Sequence, residues 1–152
     1  MIARGPREET VKQAELIDVE RLDEAQIRDL QVLFQNEWWT RGRTLDETRR
    51  LVEHTDLVLG ICERDTGHLA AFARVLTDRT FRAFVYDVIV DPRYRGAGLG
   101  TRLMRRILDH EVLARVPQID LNCRPVLQPF YRRLGFRDDI DGTVLMRWTR
   151  QG

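Results

Sequence analysis

Three glycines at two-residue spacing, Gly96, Gly98 and Gly100, lie in the stretch "DPRYRGAGLGTRLM", between an apolar run and the start of a helical pattern. The first turn of a helix leaves backbone N–H groups without partners and carries the positive end of the helix dipole. Glycines before such a turn let an anion approach the backbone closely, so the loop is typical of a phosphate site. A surface turn that binds nothing explains the glycines alone equally well.

The spacing of these glycines excludes two familiar phosphate-binding loops. The dinucleotide fingerprint requires a third glycine three residues after the second, and that position holds Thr101. A P-loop requires a Lys-Ser or Lys-Thr pair after the glycines, and none follows here. Both of these nucleotide-binding motifs are therefore excluded.

Four helices and six strands are predicted around this loop. Asp23 with Gln26 and Thr44 with Glu47 have the spacing of capping boxes, which predicts a helix after each pair. Apolar runs bounded by turn residues predict strands, and the segments are "VKQAELIDVE", "LVLGICER", "HLAAFARVL", "FRAFVYDVIV", "QIDLNC" and "TVLMRWT". After Leu99 the apolar period becomes that of a helix, and "VLQPFYRRLGF" predicts a further short helix. The glycine loop thus connects a strand to a helix.

Composition limits the classes of ligand and location. The 152 residues fit one domain, which we expect over residues 11–152 behind a loose polar arm at residues 1–10. The 25 basic and 24 acidic side chains nearly cancel, so we expect neither nucleic acid nor a membrane surface as a partner. Cys62 and Cys123 have no zinc spacing, and the three histidines are isolated, so we expect no metal site. With no apolar signal segment, a cytoplasmic location is predicted.

Two stretches of the sequence resemble the motifs of a known family. The stretch "VIVDPRYRGAGLGTRLM" resembles the acetyl-CoA-binding signature of the GNAT superfamily of N-acetyltransferases, with Arg95, Gly98 and Gly100 at the signature positions. The stretch "PFYRRLGF", residues 129–136, is similar to the family's Tyr-x-x-x-Gly-Phe segment. The resemblance covers nearly the whole chain and is to small bacterial members. It implies an α/β acyl-CoA N-acyltransferase fold, with a mixed, mainly antiparallel sheet and helices on both faces.

The resemblance implies that acetyl-CoA binds along the loop and the strand before it. In the family, backbone N–H groups of the loop bind the pyrophosphate, and the residues at these positions are Arg95, Gly96, Ala97, Gly98, Leu99, Gly100 and Thr101. The preceding strand parts from its neighbour and leaves backbone groups free. By the motif, Val88 contacts the acetyl group, and Ile89 and Val90 lie along the pantetheine arm. These roles belong to backbone atoms, so the side chains remain available for the core.

The resemblance also implies direct attack of a primary amine on acetyl-CoA in a ternary complex. The departing thiolate needs a proton donor, and Tyr131 occupies the family's position for this general acid. A phenol with a reference pKa of about 10 keeps its proton at neutral pH. An aromatic wedge against Phe130 and Phe136 is the competing interpretation of Tyr131.

A base for the attacking amine is harder to assign. Asp87 is the carboxylate nearest to the family's base position, which holds Tyr86 in this sequence. An ion pair between Asp87 and Arg74, across a hairpin that turns near "TDRT", is the slightly favoured alternative.

The acceptor side is expected in the region before the cofactor signature, where "NEWWTRGR" stands out. Trp38 and Trp39 offer an aromatic wall, and Glu37, Arg41 or Arg43 are candidates for selecting charge. One core tryptophan and one surface tryptophan is an equal alternative. The candidate acceptor-binding residues are Trp38, Trp39, Tyr86 and Arg124.

The sequence favours a small-molecule amine over a protein as acceptor, and a homodimer is compatible with it. A non-catalytic acyl-CoA-binding or sensor module and a protein N-acetyltransferase are the alternatives. Arg124 stands where a common family pattern has an asparagine that helps to bind the cofactor. Its role stays open between the cofactor, an anionic substrate and a strand cap.

Overall fold

The computed structural model of the chain describes residues 14–152, and the predicted arm at residues 1–10 lies outside that range. One compact unit ends at Leu121, and a second comprises Asn122–Gly152. The first unit contains the strands β1 (Leu16–Val19), β2 (Leu57–Glu63), β3 (Leu69–Thr77), β4 (Arg82–Val90) and β5 (Gln118–Leu121). It also contains the helices α1 (Glu24–Asn36), α2 (Leu45–Glu53) and α3 (Leu99–Leu108). The second unit contains the helix α4 (Gln128–Arg133).

Both predicted capping boxes start a helix. The Asp23 carboxylate accepts from the backbone N–H of Gln26 at 2.8 Å, and the Gln26 side chain accepts from the N–H of Asp23 at 3.0 Å. Thr44 and Glu47 form the same reciprocal pair at the start of α2. These pairs satisfy backbone donors that the first helical turn leaves open. Helix α1 ends at Asn36, so Trp38 lies outside it.

The five strands form one sheet in the order β1-β2-β3-β4-β5. The pairs from β1 to β4 are antiparallel, whereas β4 and β5 are parallel. The predicted mixed, mainly antiparallel sheet is therefore confirmed. The turn "DTG" connects β2 to β3, as its sequence predicts.

Helices pack on this sheet through apolar side chains. Leu30 and Phe34 of α1 join Phe72 of β3 and Ile89 of β4 in one buried cluster. The rings of Phe34 and Phe72 meet edge to face, with centroids 6.4 Å apart. Burying each side chain of this size contributes about 1.5 to 3 kcal/mol. The cluster therefore fixes the end of α1 against the strands that precede the glycine loop.

The strand predicted for "TVLMRWT" is wrong. Residues 143–149 form no strand, and the side chains of Val144, Leu145, Met146 and Trp148 are exposed. A strand needs a neighbour that pairs with its backbone, and the unit Asn122–Gly152 contains no β-ladder. The apolar pattern indicates that the segment has strand propensity. It does not indicate whether another strand is available to pair with it.

Three further observations concern the described residues. Among them, no helix combines the length and the apolar character that crossing a membrane requires. No group of three histidine, cysteine or carboxylate side chains in residues 14–152 is arranged to hold a metal ion. Cys62 and Cys123 are both free thiols.

Candidate active site

The glycine loop joins β4 to α3 with the backbone conformation that its glycines permit. Gly96 and Gly98 have φ angles of 83° and 77°, in the left-handed region that side chains rarely adopt. Gly98 is the N-cap of α3. A Cβ atom built at either glycine has no neighbouring heavy atom within 4 Å. The two glycines therefore set the turn, and the space beside them is open to a ligand.

Within residues 14–152, the first N–H groups of α3 have no backbone partner and lie beside this space. The N–H of Arg102 donates to the carbonyl of Gly98 at 3.0 Å, so the N–H groups of residues 99–101 precede that helical bond. The first turn of α3 carries no acidic side chain, and Arg105 and Arg106 lie in its last turn. No carboxylate on the first turn therefore offsets the positive end of the helix dipole, as anion binding requires.

Arg95, which the resemblance assigns to the pyrophosphate, is engaged in an ion pair. Its Nη2 lies 3.1 Å from Oε1 of Glu37, the residue that caps the C-terminus of α1. The Arg95 side chain is more than half exposed, and an ion pair of this kind contributes only about 0 to 1 kcal/mol. A phosphate group can therefore compete for Arg95 at little energetic cost.

A buried carboxylate fixes the start of the loop. The Asp91 side chain is 7% exposed, lies 2.9 Å from Arg93 Nη2 and lies 3.0 Å from His68 Nε2. Burial alone raises the pKa of Asp91, but hydrogen bonds from Arg93 and His68 outweigh it and lower that pKa to about 2. His68 also lies 3.3 Å from Asp29 on α1. The expectation that all three histidines are isolated is thus wrong for His68.

Strand β4 is irregular where the resemblance places the acetyl contact. The register with β3 shifts there, so that Asp87 and Val88 together face Ala73. Asp87 has a φ of 53°, a left-handed conformation that is uncommon outside glycine. Two residues opposite one form a β-bulge, which bends the strand and redirects its backbone groups.

Strand β4 stops pairing with its other neighbour, β5, before the bulge. The parallel pairing of β4 with β5 runs from Arg82 to Val85. Among the described strands, residues 86–90 of β4 therefore pair with β3 alone. This geometry agrees with the strand parting that the resemblance implies. The cofactor contacts assigned to Val88, Ile89 and Val90 stay predictions.

Asp87 lies at the centre of a group that we call the arginine–aspartate cluster, composed of Arg43, Arg74 and Asp87. The Oδ2 atom of Asp87 accepts from Arg74 Nε at 2.7 Å and from Arg43 Nη1 at 2.9 Å. The Asp87 side chain is 5% exposed, against 14% for Arg74 and 28% for Arg43. The predicted ion pair with Arg74 is present. No local sequence pattern points to Arg43 as a second partner, because it lies 44 residues away from Asp87 in the chain.

Aromatic rings hold both guanidinium groups in place. The Arg43 guanidinium carbon lies 4.5 Å from the ring centroid of Phe34. The Arg74 guanidinium carbon lies 4.8 Å from the ring centroid of Tyr86, the residue that precedes Asp87 in β4. Such cation–π contacts contribute about 0.5 to 2 kcal/mol each. Tyr86, a predicted acceptor-binding residue, thus packs against the guanidinium group of Arg74 and helps to hold the cluster in place.

Trp38 and Trp39 are both exposed, by 62% and 44%. Their rings meet edge to face with centroids 6.0 Å apart. The alternative of one core and one surface tryptophan is therefore wrong. The segment that carries them reaches two predicted parts of the site, because Glu37 contacts Arg95 and Arg43 contacts Asp87.

In the second unit, Tyr131 of α4 is 8% exposed and packs between two phenylalanines. Its ring centroid lies 4.9 Å from that of Phe130 and 5.9 Å from that of Phe136. Burial, with a smaller effect of Cys123, raises the pKa of Tyr131 to about 12. The aromatic packing is thus observed, and the hydroxyl holds its proton firmly.

Cys123 and Arg124 also belong to the second unit. Burial raises the pKa of the Cys123 thiol, which opposes a nucleophilic role. Arg124 immediately precedes the short 3-10 helix Pro125–Leu127 that leads into α4. The assignment of Arg124 to the acceptor stays a prediction.

Residues 19–136 match the model of the acetyltransferase (GNAT) family. This match covers most of the chain, which therefore belongs to the GNAT family of acetyltransferases. The predictions of the fold class and of an acetyltransferase enzyme are confirmed, and members of this family use acetyl-CoA.

Several curated proteins are similar in sequence. An uncharacterized N-acetyltransferase, ycf52, of Porphyra purpurea is 30% identical over 122 residues, which are 79% of this chain and 70% of that protein. The chloroplastic GCN5-related N-acetyltransferase 1 of Arabidopsis thaliana is 36% identical over 66% of this chain and 51% of its own length. The chloroplastic serotonin N-acetyltransferase 2 of Oryza sativa is 37% identical over 71% of this chain and 55% of its own length. This chain thus spans about half the length of the last two relatives, and its predicted cytoplasmic location stays a prediction.

Solved structures show the same fold. A protein of Xanthomonas campestris assigned to the GNAT family superposes with a TM-score of 0.74 at 26% identity, covering 89% of this chain and 94% of that one. The glucosamine-6-phosphate N-acetyltransferase of Arabidopsis thaliana superposes with a TM-score of 0.72 at 21% identity, over 90% of this chain and 99% of that one. At this identity the second likeness concerns the fold alone.

Proposed function

We propose that this chain transfers the acetyl group of acetyl-CoA to a primary amine. One observation carries the proposal. The end of β4 is bulged and, among the described strands, pairs with β3 alone, and it leads directly into the glycine loop at the N-terminus of α3. Unpaired strand backbone suits amide and thioester groups, and a helix terminus suits phosphates. The two kinds of group occur together in acetyl-CoA.

The residues of the loop fit the pyrophosphate of this cosubstrate. The left-handed glycines leave open space at the helix terminus, and the first turn of α3 contributes donors without a competing carboxylate. Arg95 adds a positive charge after exchanging Glu37 for a phosphate oxygen. The backbone of Val88, Ile89 and Val90 is assigned to the acetyl and pantetheine groups.

Transfer requires the amine nitrogen to bond to the carbonyl carbon while the carbon–sulfur bond breaks. Negative charge develops on the carbonyl oxygen during attack, and we assign the N–H of Val88 to stabilise it. From its position in the family motif alone, we assign the Tyr131 hydroxyl to the departing sulfur, to which it donates its hydrogen bond or its proton. The amine gives up one proton in the same reaction.

The acceptor of that proton is water or Asp87. Both guanidinium contacts of Asp87 go to Oδ2, which leaves Oδ1 for a proton from the amine. Since two arginines already use this carboxylate, we favour a structural role for Asp87 and assign the proton to water. Trp38, Trp39, Tyr86 and Arg124 are the residues proposed for the acceptor, with a small amine preferred over a protein.

Substitution at Gly98 tests the site that carries the proposal. In Gly98→Leu a side chain fills the open space at the helix terminus, so acetyl-CoA should no longer raise the melting temperature. Gly142→Leu is the matched control, because Gly142 has a nearly identical φ of 75° and an equally open surrounding. Parent and control should be protected by about 2.7 kcal/mol at a hundredfold excess over Kd. Undiminished protection of Gly98→Leu would contradict the loop assignment, and thiol release from acetyl-CoA with an amine panel tests the transfer itself.

A further inference from the structure

The arginine–aspartate cluster carries an excess of positive charge. Arg43 and Arg74 bring two charges of one sign to the single carboxylate of Asp87. Among residues 14–152, no other carboxylate forms an ion pair with either arginine. Glu37, which like Arg43 lies between α1 and α2, is paired with Arg95. Charge that is partly withdrawn from water without full compensation is costly. An anionic ligand would remove that imbalance.

The two guanidinium groups also have hydrogen-bond donors to spare. Arg43 uses Nη1 and Arg74 uses Nε on Asp87, while Nε and Nη2 of Arg43 and both Nη atoms of Arg74 have no partner within residues 14–152. In that part of the chain, every buried side-chain nitrogen or oxygen has a hydrogen-bond partner. The spare donors are therefore accessible to solvent and to a ligand. The rings of Phe34 and Tyr86 hold their planes in position.

The cluster lies beside the backbone proposed for the acetyl group. Asp87 is the residue before Val88, and the two form the bulge opposite Ala73. A group bound to the arginines is therefore close along the strand to the N–H assigned to the thioester carbonyl. This is where the acceptor must present its amine.

We propose that Arg43 and Arg74 bind an anionic group of the acceptor, a carboxylate or a phosphate, so that the substrate class is an amine that carries an acidic group a few bonds from its nitrogen. Planar guanidinium groups suit these anions because their N–H donors match pairs of anionic oxygens. The inference deepens the proposed function and depends on it for the identity of the reacting group. It does not depend on Tyr131 or on the choice of base.

Matched acceptors test this inference by thiol release from acetyl-CoA. The pairs are β-alanine with β-alaninamide, phenylalanine with phenylalaninamide, and O-phosphoethanolamine with ethanolamine. The parent should prefer the acidic member of a pair in kcat/KM. Arg43→Gln should reduce that preference about tenfold or more, mainly through KM, because it removes charged hydrogen bonds. Arg64→Gln is the control, since Arg64 forms an exposed ion pair with Glu15 away from the cluster.

Two outcomes overturn the inference while the proposed function stands. One is equal use of acidic and neutral members by the parent, and the other is an equal loss for both members in Arg43→Gln at an unchanged melting temperature. If no acceptor releases thiol, the proposed function fails separately. Calorimetric binding of β-alanine and O-phosphoethanolamine then decides the inference. Binding to the parent that Arg43→Gln loses supports it, and absence of binding to the parent overturns it.

Discussion

Because it is buried, Tyr131 is a weak proton donor. With a pKa raised to about 12, Tyr131 holds its proton more firmly than a thiol with a reference pKa of about 8.5. Full transfer to a free thiolate is therefore uphill by about 5 kcal/mol. The raised pKa favours a hydrogen bond that strengthens as charge develops on sulfur, with the proton following late. Its effect on rate should therefore lie at the lower end of the range for general acids.

Tyr131→Phe measures that effect. The substitution keeps the ring that packs on Phe130 and Phe136, so stability and acetyl-CoA affinity should change little. Turnover with an identified acceptor should fall about a hundredfold, near the lower limit for a positioned acid. A variant that turns over within a few-fold of the parent would show that Tyr131 is a packing residue and that another donor serves the sulfur.

Single residues also mark the limit of prediction from sequence. The conformation of the loop glycines could be predicted, because positive φ angles and helix termini depend on neighbouring residues. The contacts of Asp87 with Arg43 and of His68 with Asp29 could not, because each joins elements that only the tertiary fold brings together. Composition identifies the charges, whereas their partners depend on sheet register and helix packing.

At the scale of elements, helix starts were more predictable than strands. A capping box is complete within four residues, and both boxes form as predicted. A strand depends on its neighbour, which explains why residues 143–149 have an apolar pattern and no ladder. The bulge in β4 likewise has no local sequence signal, since it arises from the register against β3.

The bulge offers a test of what Asp87 does for its strand. In Asp87→Asn the left-handed backbone remains acceptable, because asparagine tolerates this conformation well. The substitution removes the charge that holds Arg43 and Arg74, so the free energy of unfolding should fall by on the order of 3 kcal/mol. Urea denaturation at pH 7 measures this loss.

A catalytic base at Asp87 makes a different prediction for the same variant. The melting temperature would then be kept, and the ascending limb of the pH–rate profile would disappear. Both quantities can be measured on one preparation of Asp87→Asn. A variant that keeps its stability and its pH profile would contradict both roles.

At the scale of the whole molecule, the near balance of 25 basic and 24 acidic side chains shows in the ion pairs that connect distant elements. Arg106 of α3 lies 3.3 Å from a carboxylate oxygen of Asp18 in β1, and His68 lies between Asp29 of α1 and Asp91, the residue that follows β4. Acid should therefore weaken the fold through carboxylates whose charged form folding stabilises. Among the described carboxylates, Asp91 has the most strongly lowered pKa.

The pH dependence of stability should show the contribution of Asp91. A carboxyl whose pKa falls from 3.8 in the unfolded chain to about 2 in the folded one stabilises the fold above pH 4, and this effect disappears as the pH falls towards 2. Relative to Asp91→Asn, the parent should be more stable by about 2 kcal/mol at pH 7, with the difference shrinking steadily between pH 4 and pH 2.5. Urea denaturation across this range measures it, with Asp65→Asn on the exposed β2–β3 turn as control. A difference that stays constant with pH would show that Asp91 acts through packing and neutral hydrogen bonds, and that its charge does not hold the start of the glycine loop.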